Sequence, residues 1–260
     1  MAFLPQTQTT SIATHTNEDI FIRDRSLCKE LIGELSFTEM MIFQMLGRVP
    51  GKGEAAMVDA CLVTLMEHGM TPSAIATRMA YSSAREAMQG AVAAGLACVG
   101  STFVGTMEGC AALIARMLES GDADAEAAHI AAEFRAVKKA LPGFGHHMHK
   151  PDDPRSIRLF ELAREHRVAG AHVAAVQTLS AAIDAAYGRH ITINATGAVA
   201  AVLGDVGVPA EIMRGFALIS RCAGLVGHVR EEQVKPAMRV IWEGAEHAVK
   251  YDGAVQGRTS

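Results

Sequence analysis

Apolar residues in this chain recur at the spacing of an α-helix, and no pattern of short strands alternates with them as a parallel sheet requires. Over residues 54–68, Met57, Cys61, Leu62 and Leu65 fall on one face, and Gly69 ends the run. Ile130, Phe134, Val137 and Leu141 follow at i, i+4, i+7 and i+11, behind a cap at Asp122 or Asp124. Thr71-Pro72 and Asp153-Pro154 each put proline in a first helical turn, where its missing N–H leaves no bond unmade. The spacing predicts helices at 54–68, 122–140 and 154–166, with others over 35–46 and about 170–187, 209–220 and 232–249. Residues 11–23 alternate weakly, as a small hairpin or extended arm does, and residues 191–194 read as extended. The fold class is all-α.

Composition agrees. Half of the residues are apolar but only 5% are aromatic, because alanine and methionine fill the quota, a mix that favours helices over sheets. The net charge of -4 offers no basic balance to neutralise phosphates, so nucleic acid is not an expected partner. Five scattered cysteines without a CxxC pair argue against a disulfide framework or a zinc ribbon. A reducing cytoplasm is the expected location, and the N-terminus shows no signal-peptide pattern. The most apolar window, 92–115, is broken by four glycines and by Ser101, Thr102, Thr106 and Glu108. It reads as buried helix and glycine turn, with no membrane partner expected.

Among the motifs, GRVPGKG at 47–53 is one residue short of a phosphate loop and carries Gly53 where a Ser or Thr should meet the metal. The stretch PGFGHHMHKPDDPR at 142–155 is more informative. Three histidines within four residues could suggest a metal, but no HExxH or Cys/His partner set accompanies them, and no metal is expected. His147 and His149 read as exposed loop residues. His146 differs, because a Gly-Phe-Gly turn pins it between closely approaching backbones. Arg155, in a first helical turn, places a cation beside a positive helix end, which an anionic ligand would explain.

Those residues carry a resemblance. PGFGHHMHKPDDPR resembles the signature of the citrate synthase superfamily, where a Pro-Gly-aromatic-Gly-His turn precedes Asp-Pro-Arg. MEHGMTPSA at 66–74, GSTFVGTMEG at 100–109, INATGAVAAVLGDVGVP at 193–209 and FALISRCAGLVGHVREEQ at 216–233 resemble further segments of that family, in the right order. The likeness covers roughly residues 18–250. The chain's length and Phe103, which stands where the synthases carry a histidine, are similar to the citryl-CoA lyase branch and the C-terminal module of ATP-citrate lyase.

The resemblance implies a large helical lobe of 1–103 with 198–260, a small lobe of 104–197, and a site in the cleft between them. It implies a C–C bond made or broken between an acyl-CoA, such as acetyl-CoA, and a 2-keto acid similar to oxaloacetate. His146 would exchange a proton with the substrate oxygen, while Arg155 and Arg221 would bind carboxylates by forked hydrogen bonds and His68 would add a donor. The backbone of Leu141, Pro142, Gly143, Phe144 and Gly145 would receive the adenine of coenzyme A. A homodimer or larger homo-oligomer is expected, with residues 198–203 and 74–95 as candidate interface segments.

One position departs from the family pattern. The aspartate that works on the acetyl carbon aligns with Thr196, a far weaker acid or base. Either another carboxylate substitutes, with Glu108 and Asp205 as candidates, or the carbon proton is exchanged with water, or the substrate differs, as a decarboxylating donor would. Two further readings follow: a condensing enzyme with altered substrates, or a paralogue that binds acyl-CoA or a dicarboxylate without turnover.

Overall fold

The computed structural model describes residues 9–102 and 104–253. Phe103 lies outside the described residues. Helices dominate, and the fold is all-α. The chain forms two compact units, one of Met1–Cys61 with Met107–Met213, the other of Leu62–Thr106 with Arg214–Ser260. This partition differs from the lobes implied by the resemblance.

The first unit opens with a small antiparallel sheet of β1 (Ala13–His15), β2 (Ile20–Ile22) and β3 (Arg25–Ser26), in that order, where the alternating arm was expected. Helix α1 (Phe37–Leu46) starts at a capping box, Ser36 accepting from the Glu39 N–H while the Glu39 side chain reaches back. Helix α2 (Lys52–Met66) follows, close to its predicted bounds. Later come α5 (Thr106–Glu119), α6 (Ala123–Ala136), α7 (Pro154–Glu165), α8 (Ala171–Tyr187) and α9 (Ala195–Val206). Helix α6 stops short of the predicted residue 140. Val137 is 58% exposed and Lys138 turns to a positive φ, so Leu141 is buried by the next turn instead of the helix.

Helices α7 and α8 both pack on α9, and α6 packs on α8. Helix α9 is accordingly the centre of the unit, with residues 198–203 each 1% exposed or less. This corrects the expectation that 198–203 supplies a subunit interface. A wholly apolar run of mostly small residues is also what a helix surrounded by its own chain carries.

In the second unit α3 (Pro72–Ser83) pairs with α4 (Met88–Ala97), and α11 (Met238–Ala248) touches α3. Tyr81, Ala91, Val92, Leu225 and Val229 form its core cluster. Helix α10 (Met213–Val234) runs unbroken through the gap left between the predicted 209–220 and 232–249. Its glycines do not break it. A Cβ at Gly224 would sit 2.2 Å from the Met66 carbonyl oxygen, so that glycine permits a close approach instead. Among the described residues, Ala210–Val234 is the one stretch long and apolar enough to cross a membrane, by length and composition alone. Phe216, Ala217, Ser220, Leu225 and Val229 along it are buried.

Candidate active site

The turn after α6 is built for close contact. Gly143 and Gly145 both have positive φ, and a Cβ on Gly143 would lie 2.6 Å from Cys110 Sγ of α5. Gly197, in the first turn of α9, presses on the same turn; its Cβ would lie 2.4 Å from the Gly143 carbonyl oxygen. Three hydrogen bonds tie the turn to the extended residues before α9. The Gly145 N–H donates to Thr192 O at 2.8 Å, the Asn194 N–H to Gly143 O at 3.0 Å, and Asn194 Nδ2 to Gly145 O at 3.0 Å. Phe144 bridges to Ile193, so residues 191–194 are extended as read from the sequence. Several backbone groups of the segment expected to meet adenine are therefore already bonded, including the N–H of Phe144, which donates to Leu141 O.

His146 leaves this turn with a defined tautomer. Its Nδ1 accepts from the backbone N–H groups of Met148 at 3.1 Å and His149 at 3.0 Å, so the neutral ring carries its proton on Nε2. Partial burial pulls its pKa below the usual histidine value, helped by His149 and Arg155 and opposed by Asp153. The rings of His147 and His149 lie with centroids 4.8 and 4.4 Å from that of His146. Among the described residues, no group of three or more His, Cys, Asp or Glu side chains converges on a metal position.

Arg155 sits beside it, with Nη2 3.4 Å from His146 Nε2. Its Nε and Nη2 edge forks onto Asp153, at 2.9 and 2.8 Å. The fork expected to meet a substrate is thus filled by a side chain of this protein, and the opposite edge is what remains for a ligand. Asp153 is fully buried and caps α7; it also accepts from the N–H of Ala195 at 3.1 Å, and its own N–H donates to Thr192 Oγ1 at 2.9 Å. Burial alone would raise its carboxyl pKa, but the Arg155 fork and the backbone donors hold it below the ordinary value. The sequence announced Asp153 as a helix cap; its second role needed the arginine two residues on to fold back.

Thr196 occupies the first turn of α9, and its Oγ1 donates to Asn194 Oδ1 at 2.7 Å. The same Oδ1 accepts from the N–H groups of Thr196 and Gly197, so Asn194 caps the helix and Thr196 braces the cap. Asp205 is committed elsewhere. Its carboxylate accepts from the N–H groups of Gly170, His172 and Val173 and from His172 Nδ1, capping α8. Asp205 therefore cannot stand in for the missing aspartate. Glu108 lies in the first turn of α5, next to Gly109, whose Cβ would press on Pro142.

The two remaining predicted residues lie in the second unit and meet each other through Glu67, which sequence reasoning passed over. His68 is exposed in the turn after α2, and its N–H and that of Gly69 donate to Glu67 Oε1, both at 2.8 Å. Arg221 on α10 is 13% exposed, with Nη1 4.0 Å from the same oxygen. That Nη1 is buried and has no hydrogen-bond partner among the described residues. Burial pulls the Arg221 pKa down, and Glu67 opposes it. The structure thus brings His146 to Arg155, ties Thr196 to Asn194, which bonds Gly145, and links the His68 backbone to Arg221 only through Glu67.

The citrate synthase C-terminal domain model matches residues 7–241 of this sequence. The chain belongs to the citrate synthase family. Among solved structures of the family, the citryl-CoA lyase of Hydrogenobacter thermophilus is similar at 30% identity and TM-score 0.86, with 98% of both chains covered. An ATP citrate lyase of Methanosaeta concilii, solved with (3S)-citryl-CoA, shares the fold at 18% identity and TM-score 0.74 over 98% of this chain and 43% of that one. A curated family relative, the putative citrate synthase 2 of Mycobacterium tuberculosis (strain ATCC 25618 / H37Rv), is 28% identical over 206 residues, 75% of this chain and 54% of the relative. The chain spans about half the length of the curated relatives it matches.

Proposed function

We propose that this chain is a citryl-CoA lyase-like enzyme, making or breaking the bond between an acetyl-CoA carbon and an oxaloacetate-like 2-keto acid. The observation that carries this reading is His146, held by two backbone donors as a neutral ring whose Nε2–H faces the Arg155 side. In cleavage the tertiary hydroxyl passes its proton to solvent water, an oxygen lone pair forms the ketone, and the C–C pair leaves as a thioester enolate. Nε2–H and the Arg155 guanidinium are suited to stabilise that oxygen while it carries negative charge. In the condensing direction the same Nε2–H donates to the ketone oxygen as the bond forms. The preference for lyase over synthase rests on the 30% identity to a citryl-CoA lyase over 98% of both chains.

Arg155 and Arg221 bind substrate carboxylates in this reading, His68 adds a donor, and the coenzyme A adenine lies along residues 141–145. The enolate receives its proton from Glu108 or from water. The two-lobe division, a working homodimer and a cytoplasmic location belong to the same proposal. Thr196 favours a second reading, a binding protein without turnover, because its hydroxyl is spent on the α9 cap. A coenzyme A release and thioester assay with citryl-CoA, run beside calorimetric binding of the same compound, separates the two. Turnover supports the enzyme, and binding without any cleavage or condensation overturns it.

A further inference from the structure

The turn that carries His68 is held from behind by a chain of charged side chains inside the second unit. Arg78 on α3 is 3% exposed; it donates Nη1 to Glu232 Oε2 at 2.9 Å, Nη2 to Glu231, and Nε to His228 Nδ1 at 2.9 Å. Glu232 is buried and fixed in turn by Ser82 Oγ and by the N–H groups of Ala237 and Met238, each at 2.9 Å. Arg78 therefore has no freedom to turn away. An imidazole that accepts at Nδ1 carries its neutral-state proton on Nε2. His228 Nε2 stands 2.9 Å from Glu67 Oε2.

Glu67 is thus contacted at both oxygens: the His68 and Gly69 N–H groups donate to Oε1, while His228 Nε2 faces Oε2 at 2.9 Å as an ion-pair contact without hydrogen-bond geometry. Held there, it stays 4.0 Å from the unbonded Nη1 of Arg221. We propose that His228 is a positioning residue that keeps Glu67 from closing onto Arg221, so that this guanidinium stays available for a substrate carboxylate. The inference rests on the reading of Arg221 as a carboxylate binder. A glutamate released from His228 has the Arg221 guanidinium 4.0 Å away to turn to, and a forked carboxylate–guanidinium pair is a strong one. Such a pair would fill the fork with the protein's own anion.

Calorimetric titration with oxaloacetate tests this. His228→Gln keeps one acceptor and one donor at similar reach, so its affinity should stay within about threefold of wild type. His228→Phe removes both, and affinity should fall about tenfold or more as Glu67 closes on Arg221. Adding Glu67→Gln to His228→Phe removes the competing charge and should restore most of the loss. A merely structural histidine would not be rescued by a second change at Glu67. Wild-type affinity in His228→Phe, or no recovery in the double variant, overturns the inference. Nitrogen NMR of the wild-type imidazole adds a readout that no variant can confuse: the proton belongs on Nε2, and a proton on Nδ1 overturns the inference alone. Arg221→Lys tells the two readings apart. If it binds as wild type, the carboxylate role of Arg221 fails; if it weakens while His228→Phe does not, only the role of His228 fails.

Discussion

His146 meets its proton at a lower pH than a free histidine does, because burial and the neighbouring His149 and Arg155 disfavour the charged ring. The form needed as a neutral Nε2–H donor therefore persists as pH falls through about 6.5, the unperturbed value. The acid limb of kcat/KM should lie below that value, and a profile with its limb above 6.5 would contradict the assigned environment. The same sign governs stability. The unfolded chain takes up this proton first, so the contribution of His146 is present above about 6.5 and is lost as pH falls below it. Thr196 supplies a second test. Its hydroxyl donates to Asn194 Oδ1, and an aspartate there would turn that contact into one acceptor facing another. Thr196→Asp should lower turnover and leave the exchange of acetyl-CoA methyl protons with deuterated solvent unchanged. Faster exchange would show that the position still faces the acetyl carbon and needs only a carboxylate.

At the scale of elements, the site depends on α9 reaching the 141–145 turn through two glycines. Gly197→Ala places a methyl group on the Gly143 carbonyl oxygen, and a shift of the helix start should cost about 1–3 kcal/mol. Chemical denaturation should show that loss; an unchanged midpoint would mean the contact is slack. What the sequence makes legible is what neighbouring residues determine. Asp153-Pro154 marks the start of α7, Gly69 the end of the α2 run, and the Gly-Phe-Gly turn the presentation of His146. The rest was settled by partners far along the chain. Asp205 reads as a free carboxylate until the α8 N-terminus, more than thirty residues earlier, is seen to take both its oxygens. Residues 198–203 read as an interface because small apolar residues suit a subunit contact and a crowded core equally well. Glu67 is silent in the sequence, its meaning coming from His228 and Arg221 on α10.

For the whole molecule, the burial of 198–203 removes one of the two segments expected at a dimer interface, and of 74–95 only the residues outside the core of the second unit are left for it. Light scattering at micromolar concentration should give twice the 27.5 kDa chain mass. A mass of one chain would end the dimer proposal. The central claim is that His146 acts on the oxygen of a citryl-CoA-type substrate. Its most direct test is single turnover of citryl-CoA by the wild-type chain and by His146→Ala, with products identified by mass spectrometry. The wild type should yield acetyl-CoA and oxaloacetate in equal amounts, and the variant should be slower by about 10² to 10⁴-fold, the worth of a positioned acid–base group. Equal rates in the two proteins, or no cleavage in either, would contradict it.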